Sequence, residues 1–390
     1  MISVEEAKGL VREQVGALPP VRVPLPQAAG RILAESVVSA IDFPPFDQSN
    51  VDGYAIRFQD ASRRLKVAGE SAAGNSQAQT LEPLQAVRIF TGAPVPFHAD
   101  TIVMQEKVQL ENGWIRVEDG GLQPGSNFRA RGTDIRRGDI AFEPGRQLSA
   151  VAIGFLASLG IAEVPVYPEP RISLILTGTE LRPPGAPLRP GEVYESNSFM
   201  LQAALKRLHF STAAACHVVD NSEQLTAALQ AALESSDLVL LCGGVSVGAY
   251  DFVPEAANRC GIRKWFHGVR QRPGKPLYFG TGENKTVFGL PGNPSSVVTC
   301  FYQYVVPALH RMTRTGETGS VRASLKSGYR KAAGLTFFLK GLYDETGVAI
   351  LGAQESYRLS SFANANCLVR LDEDRTAFEA GEEVLIDLLP

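Results

Sequence analysis

Three acidic residues follow strand-like runs of the sequence and could together bind a hard cation. They are Glu180, Asp220 and Asp251, and each comes after an apolar run. Carboxylate oxygens are the ligands that Mg²⁺ prefers, and protein-bound Mg²⁺ commonly bridges to substrate phosphates. The three residues are therefore predicted to be metal ligands. Each of them alone also fits a helix cap or a solvated side chain, Asp220 above all, because it precedes a helical run.

Two turns rich in glycine or proline could contact a phosphate group. The first, with the sequence GGVSVG, includes Gly243, Gly244, Val245, Ser246 and Gly248. The second, with the sequence PGNPS, consists of Pro291, Gly292, Asn293, Pro294 and Ser295. Glycine lets backbone amides approach a phosphate closely, and a rigid proline turn presents the hydroxyls and amides that follow it. Both turns are predicted to bind an anionic ligand, although each alone also fits an ordinary strand-to-helix connection.

A third turn carries positive charge. Arg270, Arg272 and Lys275 surround the dipeptide 273–274, and such a group of cations favours binding of an oxyanion, with a solvated loop as the alternative. The same stretch imitates a nucleotide-binding P-loop, but Pro276 stands where that motif has serine or threonine. The sequence contains no dinucleotide-binding motif and no histidine spacing typical of a metal site.

The elements that must position these residues alternate from residue 171 onwards. Strands are predicted at 172–177, 213–219, 238–242, 277–279 and 287–290, and helices at 198–208, 222–235, 252–259 and 295–312. Apolar strands that alternate with helices are typical of a parallel sheet covered on both faces. Ligands bind such sheets outside the carboxyl ends of the strands, where the acids and both ligand-binding turns fall. We therefore predict one crevice that holds an anionic ligand and a hard cation.

The rest of the chain is predicted to be mostly β-structure. A helix capped by Ser3 and Glu6 ends at Gly16, and further helices are predicted at 27–35 and 149–160. A β-rich module is indicated by predicted strands at 51–57, 86–90, 101–109 and 114–117. A small barrel or sandwich is indicated by predicted strands at 336–342, 349–351, 367–371 and 383–386. The predicted domains are 1–45 with 140–170, 46–139, 171–314 and 315–390.

Two segments of the β-rich module stand out for their polar residues. Residues 43–54 form an aromatic and proline loop that ends at Asp52 and Gly53, and residues 129–139 interleave arginines with Asp134 and Asp139. On residue types alone, turns and a surface strip of ion pairs account for both segments.

Composition limits the class of partner. Lys and Arg total 38 against 41 Asp and Glu, so the net charge of −3 argues against nucleic acid as a partner. The first residues lack the apolar core of a signal peptide, and no apolar run is long enough to cross a bilayer. The five cysteines lack the spacing of a zinc cluster or a disulfide framework. We expect a soluble cytoplasmic protein that has no membrane partner.

Seven strings of the sequence, in order, resemble the molybdopterin molybdenumtransferases, the family of bacterial MoeA and the gephyrin E domain. They are FDQSNVDGYA at 46–55, TGAPVP at 91–96 with Glu106, RGTDI at 131–135, TGTEL at 177–181, GGVSVG at 243–248 with Asp251, RPGKP at 272–276 and LPGNP at 290–294. The strings span essentially the whole chain, and the set is far more specific than any one of its members.

The resemblance implies a fold and a reaction. The fold is multi-domain α/β plus β: a doubly wound, molybdopterin-binding α/β domain, an elongated N-terminal part with a β-rich module, and a small C-terminal β-barrel-like domain, assembled as a homodimer. The reaction is Mg²⁺-dependent insertion of molybdate into the dithiolene of adenylylated molybdopterin with release of AMP, the final step of molybdenum cofactor biosynthesis. No cysteine cluster is required, because the sulfur ligands of molybdenum come from the substrate.

The resemblance also implies roles for single residues. The implied catalytic residues are Asp52, Asp134, Glu180, Asp220, Asp251, Arg272 and Lys275. The three acids of the α/β domain would serve the metal, the two cations would clamp the oxyanion, and the two aspartates of the β-rich module would come from the partner subunit. The first glycine turn, with Asp251, is implied as the pterin site. Molybdopterin adenylyltransferase and molybdoenzymes are implied as protein partners.

Three residues depart from the family pattern. Thr179 stands where an aspartate is frequent, Arg272 where a lysine is usual, and Cys242 where a serine is common. Two other functions stay open: a non-catalytic pterin-binding scaffold on the same fold, and a relative specialised for tungstate. The acids and cations expected of an active site are retained, which favours the enzyme over the scaffold.

Overall fold

The structure is a computed structural model that describes residues 1–74, 79–212, 215–219, 221–245, 252–316 and 319–390. Four residues of the predicted site, Asp220, Ser246, Gly248 and Asp251, lie outside these ranges. The chain forms two compact units, a larger one of Met1–Val21 with Tyr167–Pro390 and a smaller one of Arg22–Val166. In the described residues, no helix combines the length and the apolar character needed to cross a membrane.

The larger unit is built around a mixed six-stranded sheet, here called the central sheet. In spatial order its strands are Cys216–Val218, Ile172–Thr177, Leu238–Cys242, Lys285–Leu290, Tyr278–Gly282 and Arg263–His267. The first four are parallel, as predicted. The last two are antiparallel to their neighbours, so the expectation of a parallel sheet is wrong at this edge. The strands Tyr278–Gly282 and Lys285–Leu290 are joined only by residues 283–284, and so short a connection makes them antiparallel. A parallel pair would have required a long crossover.

Helices cover both faces of the central sheet. They are Val4–Gln14, Asn197–Arg207, Ser222–Ser235, Val253–Arg259, Pro294–Cys300 and Val306–Thr313, the last two joined by a π-helical segment at Phe301–Val305. Leu238 and Leu240 belong to the core on one face, and Val239 and Leu241 to the core on the other. Successive residues of a strand point to opposite faces, which explains why this strand is apolar throughout.

The parallel strands bring three predicted turns to one edge of the central sheet. Because neighbouring parallel strands run in the same direction, the chain leaves all of them at the same edge. The turns that follow Thr177, Cys242 and Leu290 therefore share this edge, with Leu176 aligned with Cys242 and Cys242 with Leu290. The topology thus agrees with the predicted crevice at the carboxyl ends of the strands.

A second sheet forms the C-terminal part of the larger unit. Its strands are, in order, Gln271–Arg272, Thr336–Asp344, Cys367–Leu371, Glu383–Leu388 and Val321–Ser324, with Gly347–Ile350 paired to Thr336–Asp344. Smaller elements are the pairs Leu181–Arg182 with Val193–Tyr194 and Tyr329–Arg330 with Ala377–Phe378, and the helix Leu359–Phe362. The first strand carries the basic turn, and Arg272 is aligned with Phe337 in parallel. The turn of the α/β region is therefore anchored on the C-terminal sheet.

The smaller unit contains its own six-stranded sheet. Its order is Thr101–Met104, Gly53–Ile56, Gln85–Ile89, Leu65–Ser71, Trp114–Val117 and Val108–Glu111. Leu65–Ser71 and Gln85–Ile89 run parallel to each other, whereas the other described pairs of this sheet are antiparallel. Shorter pairs join Val21–Pro24 to Glu163–Val166, Val37–Val38 to Ile140–Phe142 and Gln48–Ser49 to Phe128–Arg129. The predicted helix at 149–160 is present as Ala150–Ser158, and the side chain of Ser149 caps it.

Two predicted elements of the smaller unit are wrong. Residues 27–35 form no α-helix: a 3-10 turn at Leu25–Ala28 precedes Gly30, which has a φ of 78°, and Ile32 and Leu33 pair as isolated bridges. The left-handed glycine ends the turn, and the next residues are held by strand partners distant in sequence. The predicted strand 101–109 is likewise interrupted by a 3-10 turn at Gln105–Lys107.

The predicted domain 1–45 is divided between the two units. The helix Val4–Gln14 buries Val4, Ala7 and Val11 in the core of the larger unit, whereas residues 22–45 belong to the smaller one. Its capping box of Ser3 and Glu6 is present as predicted. The helix joins the larger unit because its apolar face packs there. The other domain boundaries stay predictions.

Candidate functional site

A cavity of about 1040 Å³, here called the rim cavity, is formed by turns at the carboxyl edge of the central sheet and by the C-terminal part. The predicted residues that line it are Glu180, Arg272, Lys275, Pro291, Gly292, Asn293 and Pro294. The structure therefore brings together one acid, two cations and the proline turn, from three distant parts of the larger unit. A volume of this size is in the range of small-molecule sites.

Two of the three predicted cations line the rim cavity. Arg272 and Lys275 are exposed, and within the part of the chain that the structure describes neither forms an ion pair. Arg270 points elsewhere: its Nε lies 2.5 Å from Glu373 Oε1, and a terminal nitrogen donates to the carbonyl of Met1 at 3.3 Å. The expectation that all three cations act together is therefore wrong, because a carboxylate already neutralises Arg270.

The guanidinium of Arg272 lies over the ring of Phe337, 5.4 Å from its centroid. A contact of this kind stabilises an exposed cation by about 0.5–1 kcal/mol and restricts its orientation. Arginine is planar and presents several donors in a fixed fork, unlike the lysine usual at this position. The substitution therefore keeps the positive charge but gives it a preferred direction.

Glu180 is an exposed carboxylate of the rim cavity and follows an unusual backbone turn. Gly178 has a φ of 146°, and a Cβ at this position would lie 2.7 Å from Glu180 Oε2. Glycine therefore lets the Glu180 carboxylate fold back over the turn. The neighbouring Thr179, where the family often has an aspartate, adds no carboxylate.

A polar segment at residues 194–197, which was not predicted from the sequence, also lines the rim cavity. Glu195 is buried and accepts hydrogen bonds from the amide and hydroxyl of Ser198 at 2.8 and 2.5 Å. Asn197 donates to the carbonyl of Gly292 at 2.9 Å, and its Oδ1 is buried without a hydrogen-bond partner among the described residues. The available signal was an acid three residues before a serine at the start of a helical run.

A second missed wall of the rim cavity consists of residues 354–357. Lys340, only 2% exposed, holds this segment by donating to the carbonyls of Ala353 at 2.7 Å, Arg358 at 3.1 Å and Glu355 at 3.3 Å. Burial lowers the pKa of Lys340, and the nearby Glu355 opposes that shift. The sequence pattern carries little signal for this wall, because the segment belongs to a different predicted domain from the rest of the site.

Ser295 supports the wall rather than facing the cavity. It is fully buried, its amide donates to the carbonyl of Ser356 at 3.2 Å, and its hydroxyl donates to that of Arg358 at 3.0 Å. The prediction that Ser295 presents a free hydroxyl and amide is therefore wrong, since both donors are used within the protein. Ser296, the next residue, does line the rim cavity.

The described part of the glycine turn packs tightly against the neighbouring strand. A Cβ on Gly243 would lie 2.6 Å from Thr177 Oγ1, and one on Gly244 would lie 3.2 Å from it. Both glycines have positive φ, and Val245 is buried. The amide of Gly243 donates to the carbonyl of Leu290 at 3.1 Å. Close packing against the neighbouring strand is thus the first reason for glycine at positions 243 and 244. Binding of a ligand by this turn stays a prediction.

The two predicted aspartates of the β-rich module are exposed residues of the smaller unit. Asp52 Oδ1 accepts hydrogen bonds from the amide and the hydroxyl of Thr91, both at 2.7 Å. These bonds, the amide first, hold the pKa of Asp52 below its ordinary value. Arg131 of the segment 129–139 forms an ion pair outside that segment, with its Nε 2.6 Å from Asp42 Oδ2. Asp134 donates its amide to the carbonyl of Phe43 at 3.0 Å.

Three family models together match almost the whole chain. A MoeA N-terminal region (domain I and II) matches residues 2–160, a probable molybdopterin binding domain matches 173–311, and a MoeA C-terminal region (domain IV) matches 322–389. A curated "Molybdopterin molybdenumtransferase" of Haemophilus influenzae is 37% identical and covers 99% of this chain and 98% of its own.

The chain belongs to the molybdopterin molybdenumtransferase family. A second member, "Molybdopterin molybdenumtransferase 2" of Mycobacterium tuberculosis, is 34% identical over 99% of both chains. Among solved structures, the molybdopterin biosynthesis MoeA protein of Pyrococcus horikoshii superposes with a TM-score of 0.85 at 32% identity, covering 100% of this chain and 99% of its own. The predicted family and fold class are thereby confirmed, and the chain is a transferase of molybdenum cofactor biosynthesis.

Proposed function

We propose that the chain inserts molybdate into the dithiolene of adenylylated molybdopterin and releases AMP, the final step of molybdenum cofactor biosynthesis. The observation that carries the proposal is the rim cavity, where Arg272 and Lys275 face a polar wall and have no ion-pair partner among the described residues. Its volume of about 1040 Å³ accommodates a ligand of nucleotide size. The names of the curated relatives support molybdenum as the transferred metal.

Arg272 and Lys275 bind molybdate as a tetrahedral dianion in this proposal. Lys275 supplies a compact charge, and Arg272 supplies a planar set of donors whose direction the ring of Phe337 restricts. Two Mo–S bonds form and two Mo–O bonds break as the dithiolene sulfurs displace two oxide ligands, which take up protons from the solvent and leave as water. The two cations reduce the Coulomb repulsion between the molybdate and the incoming thiolates, so their contribution is electrostatic.

Release of AMP consumes one water, which cleaves the phosphoanhydride between molybdopterin phosphate and AMP. Glu180, Glu195 and Glu355 are the described acids that line the rim cavity, and the carboxylate of Glu180 is the exposed one, able to hold or accept a proton there. The proline turn borders the same space. A Cβ added to Gly292 would have no atom within 4 Å of it, so a ligand can approach the backbone of Gly292 closely.

Mg²⁺ is proposed as the counter-ion of the anhydride. Among the described residues, however, no group of three His, Cys, Asp or Glu side chains could hold a metal ion. Glu180 lines the cavity, whereas Asp220 and Asp251 lie outside the described residues. The described donors alone therefore do not make a magnesium site. The requirement is tested by AMP release after chelation, with and without Mg²⁺ restored; unchanged release in the chelated protein would contradict it.

Asp52 and Asp134 are proposed to act from the partner subunit of a homodimer. The test mixes Asp52→Ala and Lys275→Met subunits, each inactive alone. If Asp52 of one subunit and Lys275 of the other form a site together, half of the dimers in an equal mixture carry one intact site out of two. The mixture then regains about a quarter of wild-type activity. No recovery of activity would indicate that Asp52 and Lys275 of the same subunit form the site. Transfer from the adenylyltransferase and to molybdoenzymes stays a prediction.

A pterin-binding scaffold and a tungstate-specific relative are the competing functions. Purified protein with adenylylated molybdopterin and Mg²⁺ is assayed for AMP without added oxyanion, with molybdate and with tungstate. Molybdate-dependent release supports the proposal. Binding of the substrate without release under any condition supports the scaffold, and release with tungstate alone supports the specialised relative.

A further inference from the structure

The basic turn rests on three buried polar side chains that the proposed function does not use. They are Gln271, 1% exposed, and Cys300 and Tyr304, both fully buried. Gln271 directly precedes Arg272, while the other two come from the helical segment behind the turn. Buried polar groups need hydrogen-bond partners, so the connections of these side chains constrain what they hold.

The side-chain amide of Gln271 binds the backbone of the turn. Its Nε2 donates to the carbonyl of Gly274 at 3.1 Å and to that of Pro273 at 3.2 Å. Its Oε1 accepts a hydrogen bond from the hydroxyl of Tyr304. If the oxygen and nitrogen of the Gln271 amide exchanged places, the oxygen would face the carbonyl oxygens of Pro273 and Gly274 and would be repelled by them. Only one orientation therefore satisfies all of these groups.

Tyr304 keeps the amide in this orientation. Burial raises the pKa of its hydroxyl well above the ordinary value, so the group stays protonated and acts as a donor at physiological pH. A hydroxyl that must donate needs an acceptor, and Gln271 Oε1 is the acceptor that it has. The two carbonyls of the turn then receive the N–H groups of Gln271.

The turn itself has little freedom at this contact. Gly274 has a φ of 84°, and a Cβ there would lie 2.5 Å from Cys300 Sγ and 2.9 Å from Gln271 Nε2. On the other side of the glycine, the carbonyl of Lys275 accepts from the amide of Val269 at 2.9 Å. The backbone between the two cations is thus held from both sides, although their side chains are exposed.

We propose that Gln271 is a positioning residue for oxyanion binding: its amide sets the backbone from which Arg272 and Lys275 reach the molybdate. This inference rests on the proposed function of the same turn. The physical reason is that two exposed cations converge on one small anion only if the backbone between them is fixed. Without the amide, the carbonyl of Pro273 loses this donor and that of Gly274 keeps only the weaker donor Cys300 Sγ at 3.6 Å, so the turn relaxes.

The test compares Gln271→Met with Gln303→Met by direct titration of molybdate and by AMP release. Gln303 is a matched control, since it is also a buried glutamine but contacts Lys8 and Asp387 instead of the turn. Gln271→Met is expected to weaken molybdate binding and raise its KM by about tenfold, with kcat at saturating molybdate largely retained. Gln303→Met is expected to leave both values unchanged. Thermal unfolding of both variants measures any loss of stability.

Two further variants separate positioning from folding. Tyr304→Phe removes only the donor that orients the amide, and it is expected to change the KM in the same direction by a smaller factor. In a Lys275→Met background, Gln271→Met is expected to add little, because residues that act through one another are not additive. Full additivity in this double variant would contradict the proposal.

The outcomes distinguish this inference from the function beneath it. Wild-type protein that neither binds molybdate nor releases AMP overturns the proposed function, and the inference with it. Wild-type protein that does both, with Gln271→Met equal to it in molybdate affinity, overturns the inference alone. If Gln271→Met does not fold, Tyr304→Phe with unchanged molybdate affinity overturns it in the same way.

Discussion

The side-chain amide of Asn197 donates a hydrogen bond of 2.9 Å to the carbonyl oxygen of Gly292. This bond joins the first residue of the helix Asn197–Arg207 to the proline turn, 95 residues later in the chain. Both residues line the rim cavity. The shape of the cavity therefore depends on a contact that neither segment reveals alone.

Asn197→Asp tests this contact. The substitution replaces the donor by a carboxylate oxygen that repels the Gly292 carbonyl, so the proline turn should shift and the KM for the pterin substrate should rise by about tenfold. Asn221→Asp is the matched control, because Asn221 Oδ1 only accepts hydrogen bonds, from the amides of Glu223 and Gln224, and aspartate does the same. Steady-state kinetics of both variants give the result, and equal KM values would contradict the prediction.

Gly243→Ala should destabilise the protein. Its Cβ would lie 2.6 Å from Thr177 Oγ1, and a φ of 93° is unfavourable for alanine, so we expect a loss of about 1–3 kcal/mol. Gly292→Ala is the comparison, since nothing lies within 4 Å of the added atom and its φ is not positive. Chemical denaturation measures both. Equal stability of the two variants would show that strand packing does not require Gly243.

Lys340→Met should loosen one wall of the rim cavity. The carbonyls of residues 353, 355 and 358 each lose the charged donor Lys340 and keep only neutral donors, which should cost about 1–3 kcal/mol of unfolding free energy. Hydrogen exchange should accelerate in residues 353–358. The control is Lys326→Met, which removes the exposed ion pair with Asp344 at 2.6 Å and should cost less than about 1 kcal/mol. Unaltered exchange in Lys340→Met would contradict the anchoring role.

Thr91→Val should raise the pKa of Asp52, because both hydrogen bonds that lower it come from Thr91 and the hydroxyl is lost. The pKa of Asp52 is lower in the folded protein than its unfolded value of about 3.9. Ionised Asp52 therefore stabilises the fold above the unfolded pKa, and this stabilisation is lost as the pH falls through the folded-state pKa. In Thr91→Val, the free energy of unfolding should therefore change less as the pH is lowered through the acid range. A carboxyl NMR titration measures the pKa, with Thr133→Val, whose hydroxyl binds Ala130, as control.

Patterns that lie within one segment could be predicted from the sequence. The strands Ile172–Thr177 and Leu238–Cys242 and the helix Ser222–Ser235 have the predicted bounds, because long apolar or periodic runs determine them locally. The capping box at Ser3 and Glu6 is similarly local. The meeting of the proline turn and Glu180 followed from the rule that ligands bind at the carboxyl edge of parallel strands, whereas no strand was predicted before the basic turn to place it there.

Contacts between distant segments could not be predicted. Gln271–Arg272 pairs with the C-terminal sheet, and Lys340 holds a cavity wall from that sheet, although neither sequence carries a periodic signal for its partner. Arg270 and Arg272 are alike in the sequence, and contacts with distant residues, Glu373 for the first and Phe337 for the second, separate their roles. The antiparallel pairing of the strands at 278–282 and 285–290 likewise could not be predicted, because it depends on the short turn that joins them.

Lys275 carries the central claim, that the basic turn binds molybdate in the rim cavity. The decisive measurement is the initial rate of molybdate-dependent AMP release over a range of molybdate concentrations, in Lys275→Met and in Lys264→Met, an exposed lysine on the strand Arg263–His267. We predict a loss of about 10²-fold or more in kcat/KM for molybdate in the first variant and none in the second. Equal rates in Lys275→Met, Lys264→Met and the wild-type protein would contradict the account.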